Sequence, residues 1–179
     1  MNIVIKTTCV FAIAVASFAT FSAFNSEKKA STATNPPAPY TITLIASNEL
    51  INGLYCWTWQ ITNPNPGNGS EGTLQDISHW SVPFNPATEA ALVAASYSYN
   101  GTTFISTSPV MDRDPSIKAC TGSDVLKFDI GTSGTMPTYY RVCLNQAFTT
   151  NPLSVSFIKT GGGQQGCNSY LFAGTGAPL

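Results

Sequence analysis

Apolar and polar side chains alternate with a period of two through Leu54-Tyr-Cys-Trp-Thr-Trp-Gln-Ile-Thr62. That places Tyr55, Trp57, Trp59 and Ile61 on one face of a β-strand and Cys56, Thr58 and Gln60 on the other. Similar runs recur at Tyr40–Ile45, Thr73–Phe84, Ala94–Tyr99, Thr102–Thr107, Asp124–Ile130, Tyr139–Leu144, Leu153–Ile158 and Gly166–Phe172. In Asp124–Ile130 the pattern sets Leu126, Phe128 and Ile130 inward and Val125, Lys127 and Asp129 outward. Turn signals separate the runs: Asn52-Gly53, Asn63–Gly72, Asn100-Gly101 and Gly161-Gly-Gly. One Ala-rich stretch with proline near its start, residues 86–95, predicts a short helix. Short strands at regular spacing with so little helix predict an antiparallel two-sheet β-sandwich of immunoglobulin-like type. A closed barrel is the second choice.

The N-terminus follows a different pattern. Lys6 precedes an uncharged run that ends in small residues around Ser17-Phe-Ala19 and Thr20-Phe-Ser22. This is the plan of a secretory signal peptide, assigned to residues 1–23. Residues 24–39 are polar, end Pro-rich and read as a flexible leader. Residues 40–179 then form the single sandwich domain, large enough for its own core. No other segment has the length and apolarity of a membrane span, so an extracellular location, secreted or on the cell surface, is expected.

Export changes the reading of the cysteines. Cys9 belongs to the signal, leaving Cys56, Cys120, Cys143 and Cys167 as disulfide formers with three connectivities open. Cys56–Cys120 with Cys143–Cys167 is the favoured pairing. A zinc site is disfavoured because no Cys-x-x-Cys occurs and the single histidine, His79, is far from any cysteine in sequence. Charged residues make up only 9% of the chain and the formal net charge is −1. The basic stripe of a nucleic-acid binder is therefore missing. A neutral, hydroxyl- and amide-rich surface suits a protein or glycan partner, or self-assembly through strand edges.

Trp57-Thr-Trp-Gln-Ile-Thr-Asn63, followed after a loop by Leu74-Gln-Asp-Ile-Ser-His-Trp-Ser-Val82, resembles a group of exported immunoglobulin-like β-sandwich domains of unassigned function. Those domains carry a W-T-(aromatic) strand and an S-H-W strand. Leu126-Lys-Phe-Asp-Ile-Gly-Thr132 and Tyr139-Tyr-Arg-Val142 extend the likeness. Such domains often place a cysteine soon after the S-H-W strand, whereas Ser81–Phe84 here has none. The resemblance implies a secreted sandwich module and no reaction.

Candidate chemistry is thin. Asp76, Ser78 and His79 are hydrolase residue types, but Ser78 and His79 are adjacent on a strand and point to opposite faces. No nucleophile elbow is present, and no catalytic residue is assigned. Asp112 and Asp114, with Asp124 nearby, are candidate calcium ligands; no other cofactor is expected. The same carboxylate pair is a weaker candidate for glycosidase chemistry. Trp57, Trp59 and Trp80 are read as core rather than sugar platforms. Tyr97, Tyr99, Phe104 and Tyr139 are the candidate surface-binding residues. Asn68-Gly-Ser70 and Asn100-Gly-Thr102 match the glycosylation sequon, within turns that explain them without it. The expectation is a non-catalytic module with a structural, adhesion or binding role. A carbohydrate-binding module, calcium-assisted or not, and a self-assembling surface subunit are its rivals.

Overall fold

A computed structural model describes residues 40–63, 76–117, 120–131, 134–160 and 169–179. The expected signal peptide, leader, first loop, Asn68 sequon, glycine-rich turn and Cys167 lie outside them. Ten strands and one helix follow in order: β1 Thr41–Ile51, β2 Leu54–Thr62, β3 Ile77–Val82, α1 Pro86–Ala91, β4 Leu92–Ser98, β5 Ile105–Thr107, β6 Met111–Asp112, β7 Val125–Phe128, β8 Thr138–Leu144, β9 Phe148–Thr160 and β10 Ser169–Pro178. They form two antiparallel five-stranded sheets, β1-β2-β8-β4-β5 and β10-β9-β3-β7-β6. The all-β, two-sheet sandwich expected from alternation is the observed architecture.

The core lies between the sheets and is aromatic. Trp57, Trp59 and Ile61 of β2, Trp80 of β3, Phe128 of β7, and Tyr140, Val142 and Leu144 of β8 are completely buried. Trp80 stacks on Phe128 with ring centroids 5.6 Å apart and meets Trp59, Tyr140 and Phe172 at 5.1–5.7 Å. These offset and edge-on contacts suit the quadrupoles of the rings. Two indole N–H groups also contribute to the ties between the sheets, one directly and one through Asn48 of β1. Trp59 Nε1 donates to the Ala173 carbonyl of β10 at 2.7 Å, and Trp57 Nε1 donates to Asn48 Oδ1 at 3.2 Å. Asn48 in turn brackets β9, accepting from Phe148 N at 3.0 Å and donating to Phe148 O at 2.7 Å. Tyr140 adds a third tie, its hydroxyl donating to the Ile130 carbonyl at 2.6 Å.

Local sequence explains most boundaries. Asn52 and Gly53 have φ of 52° and 81°, a two-residue turn that pairs Ile51 with Leu54. β1 runs past Ile45, where the alternation fades, because bulges and the left-handed Asn48 (φ 52°) shift its register beyond Leu44. Asn85 caps α1 by accepting Thr88 N at 2.9 Å. The helix stops at Ala91 instead of residue 95, because Leu92–Ser98 pairs with β8. Tertiary pairing overrides the helix propensity of Ala94 and Ala95.

Two expectations are corrected. Cys56 is bonded to Cys143, its direct cross-strand neighbour on β8, with Cα atoms 4.0 Å apart. The favoured Cys56–Cys120 and Cys143–Cys167 pairs therefore do not form. Register brings Cys143 to Cys56 across 87 residues of sequence, which spacing does not reveal. Cys120 is disulfide-bonded as well. Val125, expected outward, is 1% exposed, packing with Ile117 and Phe157 in a second small cluster. The segment that carries Asp114 and Ile117 covers the outer side of the second sheet there.

Candidate functional site

The outer face of the first sheet holds the best-defined polar arrangement. In register across β2, β8, β4 and β5 lie Thr58, Arg141, Ser96 and Ser106. Arg141 alternates with the buried Tyr140 and Val142, so its side chain must leave on the outer side. There Nε donates to Thr58 Oγ1 at 2.9 Å, and the guanidinium carbon sits 3.6 Å from the centroid of the Phe104 ring. Glu49 Oε2 approaches Nη2 only to 3.8 Å and is half exposed. The Arg141 side chain is 19% exposed. Its pKa is lowered by desolvation, which the Glu49 charge opposes.

Residues 98–104 hold Phe104 over this row. Ser98 Oγ accepts from Asn100 N at 3.2 Å and Gly101 N at 3.0 Å and donates to Asn100 Oδ1 at 2.9 Å. Asn100 Oδ1 also accepts from Thr102 N and Thr103 N, both at 2.9 Å. Gly101 has φ 75°, and an added Cβ would lie 3.0 Å from the Tyr139 ring. Glycine is thus required both by conformation and by the ring packed against it.

The four expected surface aromatics divide. Phe104 and the half-buried Tyr139 belong to the outer face around Arg141. Tyr97 is packed against the main core and meets Tyr99 edge-on at 5.5 Å. Tyr99 is 54% exposed. Sequence reasoning missed Arg141, Thr58 and Glu49. The available signal was a lone cation inside an alternating strand, between two core residues. The three indoles are fully buried and offer no ring face to a sugar.

His79 lies on the second sheet, facing away from the main core, under the segment that carries Asp114. Ser78 is exposed and His79 is buried, with a register shift in the β3–β9 pairing between Ile77 and His79. His79 Nε2 is 3.0 Å from Asp114 Oδ2 and 3.1 Å from Ser116 Oγ. Asp114 Oδ1 accepts from Ser116 N at 2.9 Å and Ser116 Oγ at 2.6 Å, and Oδ2 from Ser81 Oγ at 3.3 Å. Aspartate, histidine and serine meet here, but the carboxylate and the hydroxyl converge on the same ring nitrogen. A relay needs them on opposite nitrogens, with the serine open to substrate. With His79 and Asp114 both at 5% exposure or less, the arrangement serves as a buried latch.

Burial lowers the His79 pKa below its ordinary value, against the opposing charge of Asp114. For Asp114 desolvation pushes upward, but the Ser116 hydrogen bonds and His79 outweigh it and the pKa is lowered. The two expected calcium ligands are placed differently. Asp114 is committed to His79, Ser81 and Ser116, whereas Asp112 is exposed and accepts Arg113 N. Asp124 pairs loosely with Arg113 at 3.4 Å. Among the described residues no group of three His, Cys, Asp or Glu is arranged to hold a metal.

A cleft of about 290 Å³ opens elsewhere, bounded by Val82, Phe84, Asn151, Leu153, Val155 and Phe172 among others. No described helix is long and apolar enough to cross a membrane. No protein family model, curated protein or solved structure matches the chain.

Proposed function

We propose that this chain is an exported, non-catalytic binding module, secreted or displayed on the cell surface, and that it meets its partner with the outer face of its first sheet. The observation that carries this reading is Arg141, a cation held in a fixed pose on that face by Thr58 and Phe104 and only loosely neutralised by Glu49. Preorganised side chains of this kind contribute affinity because little rotamer entropy remains to be lost on binding. The cross-strand Cys56–Cys143 disulfide supports export, since such bonds persist in oxidising compartments. The histidine latch supports a scaffold role for the only imidazole in the chain.

The test is a screen of the intact protein on arrays of glycans and extracellular proteins, repeated with one obstruction on each sheet. Ser96→Arg blocks the row beside Arg141, and Leu171→Arg alters the outer side of the second sheet. Binding lost in Ser96→Arg and kept in Leu171→Arg is the expected result. The reverse pattern contradicts the reading.

Self-assembly is the second reading. Leu153, Val155 and Leu171 are exposed neighbours on the β9–β10 pair, with Leu171 opposite Val155. Exposed apolar clusters of this kind mark association surfaces. Sedimentation velocity decides it: concentration-dependent oligomers abolished by Leu171→Arg support self-assembly, and a monomer at all concentrations removes it.

A further inference from the structure

We propose that Arg141 is the receptor for the carboxylate of an acidic sugar, which names the ligand class for the binding face and rests on that reading. The guanidinium has five donors, of which Nε is spent on Thr58. Its other contact, with Glu49 at 3.8 Å, is longer than a hydrogen bond and reaches an exposed carboxylate. The Nη edge therefore keeps donors in the paired geometry that fits a carboxylate. Phe104 covers one face of the guanidinium and Thr58 fixes its base, so the fork is oriented before any ligand arrives.

The surroundings select among anions. Arg141 is flanked in register by Thr58 and Ser96, then Ser106. The adjoining row runs from Gln60 through Tyr139 to Ser98. Thr58 and Ser98 are buried with their hydroxyls engaged. Ser96, Ser106, Gln60 and Tyr139 are therefore the hydroxyl, amide and phenol groups around the cation, a set that matches a ligand with one charge per unit and many hydroxyls. Polyanions such as nucleic acid need several cations along the chain. Arginine and tyrosine side chains such as Arg141 and Tyr139 also anchor protein interfaces, so the acidic peptide in the experiment separates that occupant from the sugar.

The experiment titrates the intact protein with uronic-acid oligosaccharides, with their methyl esters, and with an acidic peptide of equal charge. Variants Arg141→Lys and Arg113→Ala run alongside. Saturable binding of the acid is expected, weakened roughly ten- to a hundredfold by esterification or by Arg141→Lys, the size of one charge-assisted contact. Arg113→Ala, which removes an exposed cation in the segment after β6, leaves affinity unchanged. Equal binding of acid and ester, or an unaffected Arg141→Lys, overturns the proposal. Tight binding of the peptide without the sugar also overturns it. If ester and acid bind equally and both are lost in Phe104→Ala, the carboxylate proposal fails while the face stays the binding surface. Should Arg141→Lys fail to fold by circular dichroism, the ester comparison decides alone.

Discussion

His79 and Asp114 face each other across 3.0 Å on the outer side of the second sheet, both shielded from water by the segment that carries Asp114. A buried carboxylate is tolerated only when hydrogen-bonded, and Asp114 receives Ser81, Ser116 and His79. Replacing it with alanine strands those donors. The expected cost is about 2–3 kcal/mol in urea denaturation. An Asp114→Ala variant as stable as the parent would show that the latch holds nothing.

The same pair sets a pH dependence. The folded pKa of His79 is lowered from 6.5, so its contribution is complete above that pH and is lost as pH falls toward the folded value. Asp114 is lowered from 3.8, so its contribution disappears in a second, more acidic window. Both losses have the same sign. Denaturation midpoints should fall between pH 7.5 and 5, and His79→Phe should flatten that part of the profile. A midpoint that rises on acidification contradicts the assignment.

Gly101 sits at φ 75° beneath the Tyr139 ring. Gly101→Ala adds both backbone strain and a clash, at an expected cost on the order of 1 kcal/mol or more. It should also weaken ligand binding, because the displaced loop carries Phe104 away from Arg141. Unchanged stability and unchanged binding would show that this turn does not position the face.

Asn48 joins Trp57 of one sheet to Phe148 of the other with three hydrogen bonds. Asn48→Gly keeps the backbone conformation and removes those bonds, so its expected loss of roughly 1–3 kcal/mol isolates the side chain. Asn48→Ala should lose more, since alanine disfavours φ 52°. Equal losses in the two variants would put the whole effect in the hydrogen bonds.

Removing Cys56–Cys143 with paired serines should lower stability by about 2–4 kcal/mol. Peptide mapping under non-reducing conditions should recover the Cys56 and Cys143 peptides joined. Recovery of Cys56 joined to Cys120 would contradict the strand register itself.

The sequence was most readable where structure is local. The β2 strand and its inward face followed from alternation, and the turn into it followed from Asn52-Gly53. Burial of Trp57 and Trp59 followed because they share a face of β2 with Ile61. What escaped depends on contacts far apart in the chain. The Cys56 partner is set by the β2–β8 register, and the burial of Val125 and His79 is created by a loop folding over the sheet. Alternation marks which side of a strand a residue leaves on. It does not show whether that side is later covered. Arg141 was visible as a lone strand cation, but its Phe104 and Thr58 partners arrive only through sheet pairing.

The most direct test of the binding face is amide chemical-shift mapping of the intact protein during titration with a uronic-acid oligosaccharide. Perturbations should cluster at Thr58, Ser96, Phe104, Tyr139 and Arg141. Shifts confined to Leu153, Val155 and Leu171 on the second sheet, or no shifts at all, would contradict the account.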